Sequence, residues 1–204
     1  MIKLYGSPGS TCTRKVLTVL EETRTPFEMN LVDLPKGEHK QKPHIDRQPF
    51  GQIPAINDDG FAMFESRAIC RYISSKVESP LIPKNLQLRA AMDQWASVEQ
   101  SNFAPNAMKF VYQYVFKRPQ EPAVLEAANA MLEKTFSAIS TPLAKGPFLV
   151  GDSFTLADIF YMPYLEYLMV SPAKATFEKY PHVVAWWNRV SERPSWRKVA
   201  GRTS

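Results

Sequence analysis

Along residues 1–75 the apolar positions change period several times, and each change marks an element. Ile2 and Leu4 flank Lys3 in a short strand pattern. Val16, Leu17, Val19 and Leu20 then recur at helical spacing over 13–22. Phe27, Met29 and Leu31 alternate with Glu28 and Asn30, which predicts a second strand. A connection rich in charge and proline follows. Ala55-Ile56 and Phe61-Ala62-Met63-Phe64 then bracket Asn57-Asp58-Asp59-Gly60, where Asn, Asp and Gly supply hairpin turn geometry. A helix with Ile69, Tyr72 and Ile73 on one face comes next.

A strand–helix–strand unit sets two parallel strands side by side through a right-handed crossover. The later hairpin adds an antiparallel edge. The expectation is a mixed four-stranded sheet with helices packed on it, in the element order of a thioredoxin-like domain. At Pro80 and Pro83 the alternation stops. Beyond them the pattern is helical throughout: Leu88, Met92, Trp95 and Glu99, then Phe103, Ala107, Phe110 and Tyr114, then Val124, Ala128, Met131, Thr135 and Ala138 up to Pro142. Thr155-Leu156-Ala157-Asp158 reads as a capping box with Phe154 and Ile159 placed as its staple, and that helix ends before Pro172. A last helix carries Val183, Trp186, Trp187 and Val190. The fold class is therefore α/β plus all-α: a thioredoxin-like domain over 1–77, a linker over 78–87 and an all-helical domain over 88–204.

Composition narrows the function classes. The chain has 17 prolines against 8 glycines in 204 residues, yet 45% of it is hydrophobic, so the prolines punctuate a folded protein. Cys12 and Cys70 are the only cysteines, too few for a disulfide scaffold or a Cys-rich zinc module. The start lacks the apolar stretch of a signal peptide, and the richest apolar run, Ile159 to Val170, is broken by Glu166. A cytoplasmic setting is the expectation, with no membrane partner. The net charge of +5 is spread along the chain and no nucleic-acid motif appears, so no nucleic-acid partner is expected.

Four segments could carry chemistry. Gly6-Ser7-Pro8-Gly9-Ser10-Thr11-Cys12-Thr13 joins a strand to a helix start, where free amides and the macrodipole welcome an anion. The same residues also read as a plain helix cap with Cys12 as buried filler. Pro49-Phe50-Gly51-Gln52-Ile53-Pro54-Ala55 precedes a strand. A cis Ile53–Pro54 bond would turn the polar groups around Ile53 outward to pair with an extended peptide, whereas a trans proline at a strand start would do nothing of the kind. In Phe64-Glu65-Ser66-Arg67-Ala68-Ile69, Ser66 could cap a helix whose amides take a carboxylate, with Glu65 accepting from an ammonium group. Lys36-Gly37-Glu38-His39-Lys40 offers two donors for a terminal carboxylate, or is a solvated loop.

In order and spacing these four segments resemble the phi class of the cytosolic glutathione transferases, and the resemblance spans essentially the whole chain. It implies that Ser10 donates a hydrogen bond to the glutathione sulfur. Ile53 would pair through its backbone with the cysteinyl part, with Pro54 in cis. Glu65 and Ser66 would hold the γ-glutamyl ammonium and carboxylate, and His39, Lys40 and Gln52 the glycyl carboxylate. The thiolate would then attack an electrophile in an apolar pocket between the domains, with Leu34, Pro35, Phe110 and Tyr114 as candidate walls. Glutathione enters as co-substrate, with no cofactor and no metal, and the assembly expected is a homodimer with Phe64, Arg67 and Arg71 near its interface. The implied activity is glutathione conjugation of hydrophobic electrophiles, with reduction of organic peroxides as a related one. Two alternatives stand beside it: a carrier of hydrophobic ligands, and a glutathione-dependent thiol transferase acting through Cys12. The second is disfavoured because Lys15 stands where a Cys-x-x-Cys pair needs its second cysteine.

Overall fold

A computed structural model of the chain describes residues 1–202 and divides it into two compact units. The first comprises Met1–Ser79 together with the stretch beginning at Arg197; the second is Pro80–Trp196.

In the first unit, β1 (Ile2–Gly6), α1 (Thr11–Glu22), β2 (Phe27–Leu31), α2 (His44–Arg47), β3 (Ala55–Asp58), β4 (Phe61–Phe64) and α3 (Ser66–Lys76) follow in order. The sheet order is β2-β1-β3-β4, with β1 parallel to β2 and antiparallel to β3, and β3 antiparallel to β4. The period-2 pattern works as expected: Ile2 and Leu4 are buried while Lys3 is exposed. Val16, Val19 and Leu20 of α1 and Ile69, Cys70 and Ile73 of α3 are buried as those two helices pack together. The hairpin turns on Asp59 and Gly60, both at positive φ, which is the geometry that makes Asp-Gly a favoured two-residue loop. Asp58 beside it is buried, and its Oδ2 accepts from Tyr72 Oη at 2.6 Å and from Lys76 Nζ, tying β3 to α3. Residues from Arg197 on, expected within the helical domain, group here instead, and Lys198 Nζ lies 2.8 Å from Glu21 Oε1.

The second unit holds α4 (Leu86–Val98), α5 (Ala104–Phe110), α6 (Pro122–Leu143), α7 (Leu156–Leu168), α8 (Ala173–Phe177), α9 (Pro181–Ser191) and the start of α10 (Pro194–Val199). The linker expected over 78–87 is shorter than that, since α4 starts at Leu86 with Asn85 Oδ1 capping Leu88 N–H at 3.1 Å. Two π-helical turns, Glu99–Phe103 and Val111–Val115, flank α5 where one continuous helical face was expected. Leu88, read as part of that face, is 46% exposed. Pro142 lies one residue inside α6 instead of ending it, whereas α7 ends at Leu168, before Pro172 as expected, and Pro172 is the N-cap of α8.

The sequence's richest apolar run becomes α7, buried on every side except at Glu166 and Tyr167, as an all-round apolar helix must be. Phe103 packs against Phe136, Tyr161 and Tyr164 at 4.9–6.0 Å between centroids. The capping box is present, and Asp158 does more than cap. Oδ2 accepts from Thr155 N–H at 2.9 Å and from the Thr155 hydroxyl at 3.2 Å, while Oδ1 accepts from Leu149 N–H at 3.0 Å and Trp186 Nε1 at 2.9 Å. Burial pushes this carboxyl upward and the donors oppose the shift.

Asp158→Ala leaves buried donors without an acceptor and should lower stability by about 3 kcal/mol or more, read from the urea midpoint. Asp58 gives a pH-dependent effect. The hydrogen bond from Lys76, then that from Tyr72, hold its carboxyl below the usual carboxylate range. A depressed carboxyl stabilises the fold fully above its unfolded value of about 4 and loses that contribution as pH falls through the folded value. Asp58→Asn should therefore lower the melting temperature at pH 7, and the gap to the wild type should close below about pH 4.

Candidate active site

The strand directions gather the four sequence segments at one edge of the sheet. β1, β2 and β4 run one way and β3 the other, so three carboxyl ends and the start of β3 lie together. Ala55 pairs with both Tyr5 and Phe64. Pro54 therefore sits one residue before a position flanked by the start of the Gly6–Ser10 loop and by Glu65. Ligands in open α/β sheets bind outside the carboxyl ends of the strands.

Ser10 occupies the N-cap of α1 in extended geometry, and its Oγ accepts from Thr13 N–H at 3.2 Å. A hydroxyl that accepts in this way keeps its own hydrogen to donate elsewhere. Ser10 N–H donates to Ser7 O at 3.0 Å, and Arg14 Nε donates to Pro8 O at 2.8 Å, which closes the loop onto the helix. Gly6 makes that closure possible, because a Cβ there would lie 2.7 Å from Thr13 Oγ1. No acidic residue stands in the first turn of α1, so nothing there offsets the positive end of its dipole. Cys12 is half-buried as the second residue of that helix. Cys70 is wholly buried, and burial pushes its thiol up to about 12.

The Ile53–Pro54 bond is cis, and so is Lys42–Pro43, which the sequence reading did not anticipate. Gln52, just before the first of these, is held on both sides of its backbone. Its carbonyl lies 2.7 Å from His44 Nε2, and its N–H donates to Gln48 Oε1 at 3.1 Å. A carbonyl only accepts, so the His44 proton is on Nε2. Gly51 has φ +61°, and a Cβ on it would meet His39 O at 3.2 Å and Lys40 Cγ at 3.4 Å. That close approach sets the His39 carbonyl and the Lys40 side chain beside Gly51, the residue before Gln52. His39 is half-buried in a 3-10 turn, Glu38–Lys40, and its Nδ1 is buried without a partner.

At the third segment the structure corrects the sequence reading. Glu65, not Ser66, occupies the N-cap of α3, at φ +71°, and its side chain makes no capping bond. Ser66 is the first helical residue and is 3% exposed. A non-glycine residue in such a conformation is the kind of local strain that clusters at ligand sites. Leu34 and Pro35 line a groove of about 560 Å³ with Ser7, Pro8 and Asp33, beside the first loop. In the second unit Phe110 and Tyr114 stack with centroids 6.3 Å apart, but Phe110 is 4% exposed and belongs to the core, leaving Tyr114 the more accessible of the two.

Sequence reasoning passed over His44 and Gln48 because they lie in the charged, proline-rich connection. Their spacing of four residues, one helical turn, immediately before Pro49-Phe50-Gly51, was the signal that marks them as a pair.

Comparison with known proteins bears on the whole chain. Residues 1–75 match the family described as "Glutathione S-transferase, N-terminal domain", and residues 103–194 match "Glutathione S-transferase, C-terminal domain". Glutathione S-transferase F7 of Arabidopsis thaliana is 37% identical over 205 residues, which cover 97% of this chain and 98% of the relative. Glutathione S-transferase PARB of Nicotiana tabacum is likewise 37% identical, over 97% of this chain and 96% of its own. Among solved structures, glutathione transferase F2 from Populus trichocarpa has a TM-score of 0.94 at 37% identity and 99% coverage of both chains. Glutathione S-transferase I from maize, in complex with an atrazine glutathione conjugate, has a TM-score of 0.91 at 32% identity, covering 98% of this chain and 97% of its own. With both domain families matched in order and relatives aligned from end to end, this chain belongs to the glutathione S-transferase family, in the phi class whose loop motifs it shares.

Proposed function

We propose that this enzyme joins glutathione to hydrophobic electrophiles, with Ser10 as the group that stabilises the glutathione thiolate. The observation that supports this most directly is the hydrogen bond from Thr13 N–H to Ser10 Oγ, which leaves the Ser10 hydroxyl hydrogen to be donated to a ligand. A free thiol of pKa about 8.5 is only a few per cent thiolate at neutral pH. Making it mostly thiolate takes a shift of about two units, or roughly 2.7 kcal/mol. One hydrogen bond to a charged group contributes about 1.5–3 kcal/mol, and a helix N-terminus roughly 0.3–1. Ser10 and α1 together suffice. Ser10 acts as donor to an anion, so it is neither nucleophile nor base.

The remaining assignments follow the same edge of the sheet. The Ile53 backbone pairs with the cysteinyl part beside cis Pro54. Glu65 accepts from the γ-glutamyl ammonium, and Ser66 with the start of α3 holds the γ-glutamyl carboxylate. His39, Lys40 and Gln52 take the glycyl carboxylate. The thiolate sulfur forms a bond to the electrophilic carbon as the leaving group departs with its electron pair. Leu34 and Pro35, which line the groove beside the first loop, are the apolar walls we favour. Glutathione is the co-substrate. We place the enzyme in the cytoplasm, where two free thiols persist; no helix among the described residues is long and apolar enough to cross a membrane. A homodimer is the assembly we propose, on the strength of Phe50 and Phe61, which are 71% and 51% exposed and lie against Phe64 and Tyr72 respectively.

The test is conjugation of glutathione to a chlorinated nitroaromatic. Ser10→Ala should lower kcat/KM about 100-fold and raise the pH at which bound glutathione ionises by about two units. Cys12→Ala should retain wild-type activity. The reverse pattern, with the serine variant active and the cysteine variant dead, would move the chemistry to thiol transfer. Tight binding of an apolar dye with no glutathione binding by calorimetry would make the protein a carrier. Gly51→Ala should raise KM for glutathione several-fold, since a side chain at positive φ is strained and presses on the His39 carbonyl.

A further inference from the structure

We infer that His44 and Gln48 are positioning residues for glutathione: a buried clamp on the Gln52 backbone that sets glutathione affinity without touching the ligand. The inference rests on the proposal that Gln52 and Ile53 contact glutathione. His44 is 4% exposed and Gln48 is 2% exposed, and His44 Nε2 and Gln48 Oε1 are both taken up by the Gln52 backbone. Each directs one polar side-chain atom at the same residue. His44 Nε2 donates to the Gln52 carbonyl at 2.7 Å, and Gln48 Oε1 accepts from the Gln52 N–H at 3.1 Å. Gln52 itself is exposed, so its backbone is fixed from below while its side chain remains available above. A residue gripped at both its N–H and its C=O cannot rotate its flanking peptides, and the next peptide leads into Ile53 and cis Pro54.

The clamp is anchored in turn. Gln48 N–H donates to the His44 carbonyl at 2.9 Å, which makes the two side chains neighbours on one turn. Arg47, between them in sequence, lays its guanidinium 4.2 Å from the centre of the Tyr5 ring, fixing α2 to β1. Gly51, next to Gln52, packs on His39 and Lys40. The position of α2 is thus passed to all three groups assigned to the glycyl carboxylate, and to Ile53. Ser10 lies outside this network, on a loop closed by Thr13 and Arg14. The clamp should accordingly change glutathione binding and leave thiolate chemistry alone.

The experiment measures glutathione affinity by calorimetry, and KM for glutathione and kcat with a chlorinated nitroaromatic, on the full chain. His44→Phe and Gln48→Met each remove one hydrogen bond at similar size. They should raise the Kd and KM for glutathione roughly tenfold, with kcat at saturating glutathione within about twofold of wild type. His44→Gln keeps an N–H donor and Gln48→Glu keeps an acceptor, and both should stay within about threefold of wild type. Folded His44→Phe and Gln48→Met proteins that bind glutathione as the wild type does overturn the clamp, and so do conservative variants that lose as much as the removing ones. If the removing variants do not fold, hydrogen exchange at the Gln52 amide of the wild type decides. Protection in the free protein equal to that with glutathione supports a pre-set backbone, and unprotected exchange without glutathione overturns it. Wild-type protein that binds no glutathione rejects the proposed function itself, and the clamp falls with it; unaffected variants beside a wild type that binds reject the clamp alone.

Discussion

The hydrogen bond from Thr13 N–H to Ser10 Oγ decides what the first loop can do. It uses an acceptor site of the hydroxyl and leaves the Ser10 hydrogen to be donated elsewhere. It also fixes that donor at the mouth of a helix with no acidic residue in its first turn. A donor and a half-charge aimed at one point suit a sulfur anion and suit a neutral electrophile poorly. Gly6 belongs to the same device, because only a residue without a side chain lets Thr13 close over the end of β1.

The sheet supplies the rest by direction alone. With β1 central and parallel to β2 and β4, three strand ends deliver their loops to one edge, and antiparallel β3 begins there. A tripeptide with charges at both ends needs an acid-binding group at each end and backbone pairing in the middle. Strand ends placed about 5 Å apart across a sheet offer such groups side by side, and in the site we propose the connection between β2 and β3 adds His39 and Lys40. The helical unit builds its core differently, on an all-round apolar α7 and the buried carboxylate of Asp158 that joins Leu149, Thr155 and Trp186.

Much of this was legible in the sequence wherever periodicity or turn chemistry governs the local structure. Ile2, Lys3 and Leu4 announce β1, Asp59-Gly60 announces the hairpin, and Thr155 with Asp158 announces the start of α7. What was not legible depends on contacts between distant segments. The four-residue spacing marks His44 and Gln48 as a pair, but α2 is a single turn, too short to show a period or to say that the His44 ring will meet Gln52. Ser66 looks like a cap because serine favours that position, yet the chain turns at Glu65 and takes the N-cap one residue earlier. Phe110 and Tyr114 share a helical face, as their spacing says, but only packing decides that Phe110 belongs to the core.

An enzyme that works among electrophiles has its own nucleophiles to protect. Cys70, on α3 and wholly buried where that helix packs on α1, has its thiol pushed up to about 12 by burial and stays protonated at neutral pH. The thiolate is the form that alkylating agents capture, so the packing that completes this core also makes Cys70 chemically silent toward them. The activity we propose at the start of α1 needs an ionised thiol, whereas the packing of α3 keeps the Cys70 thiol protonated.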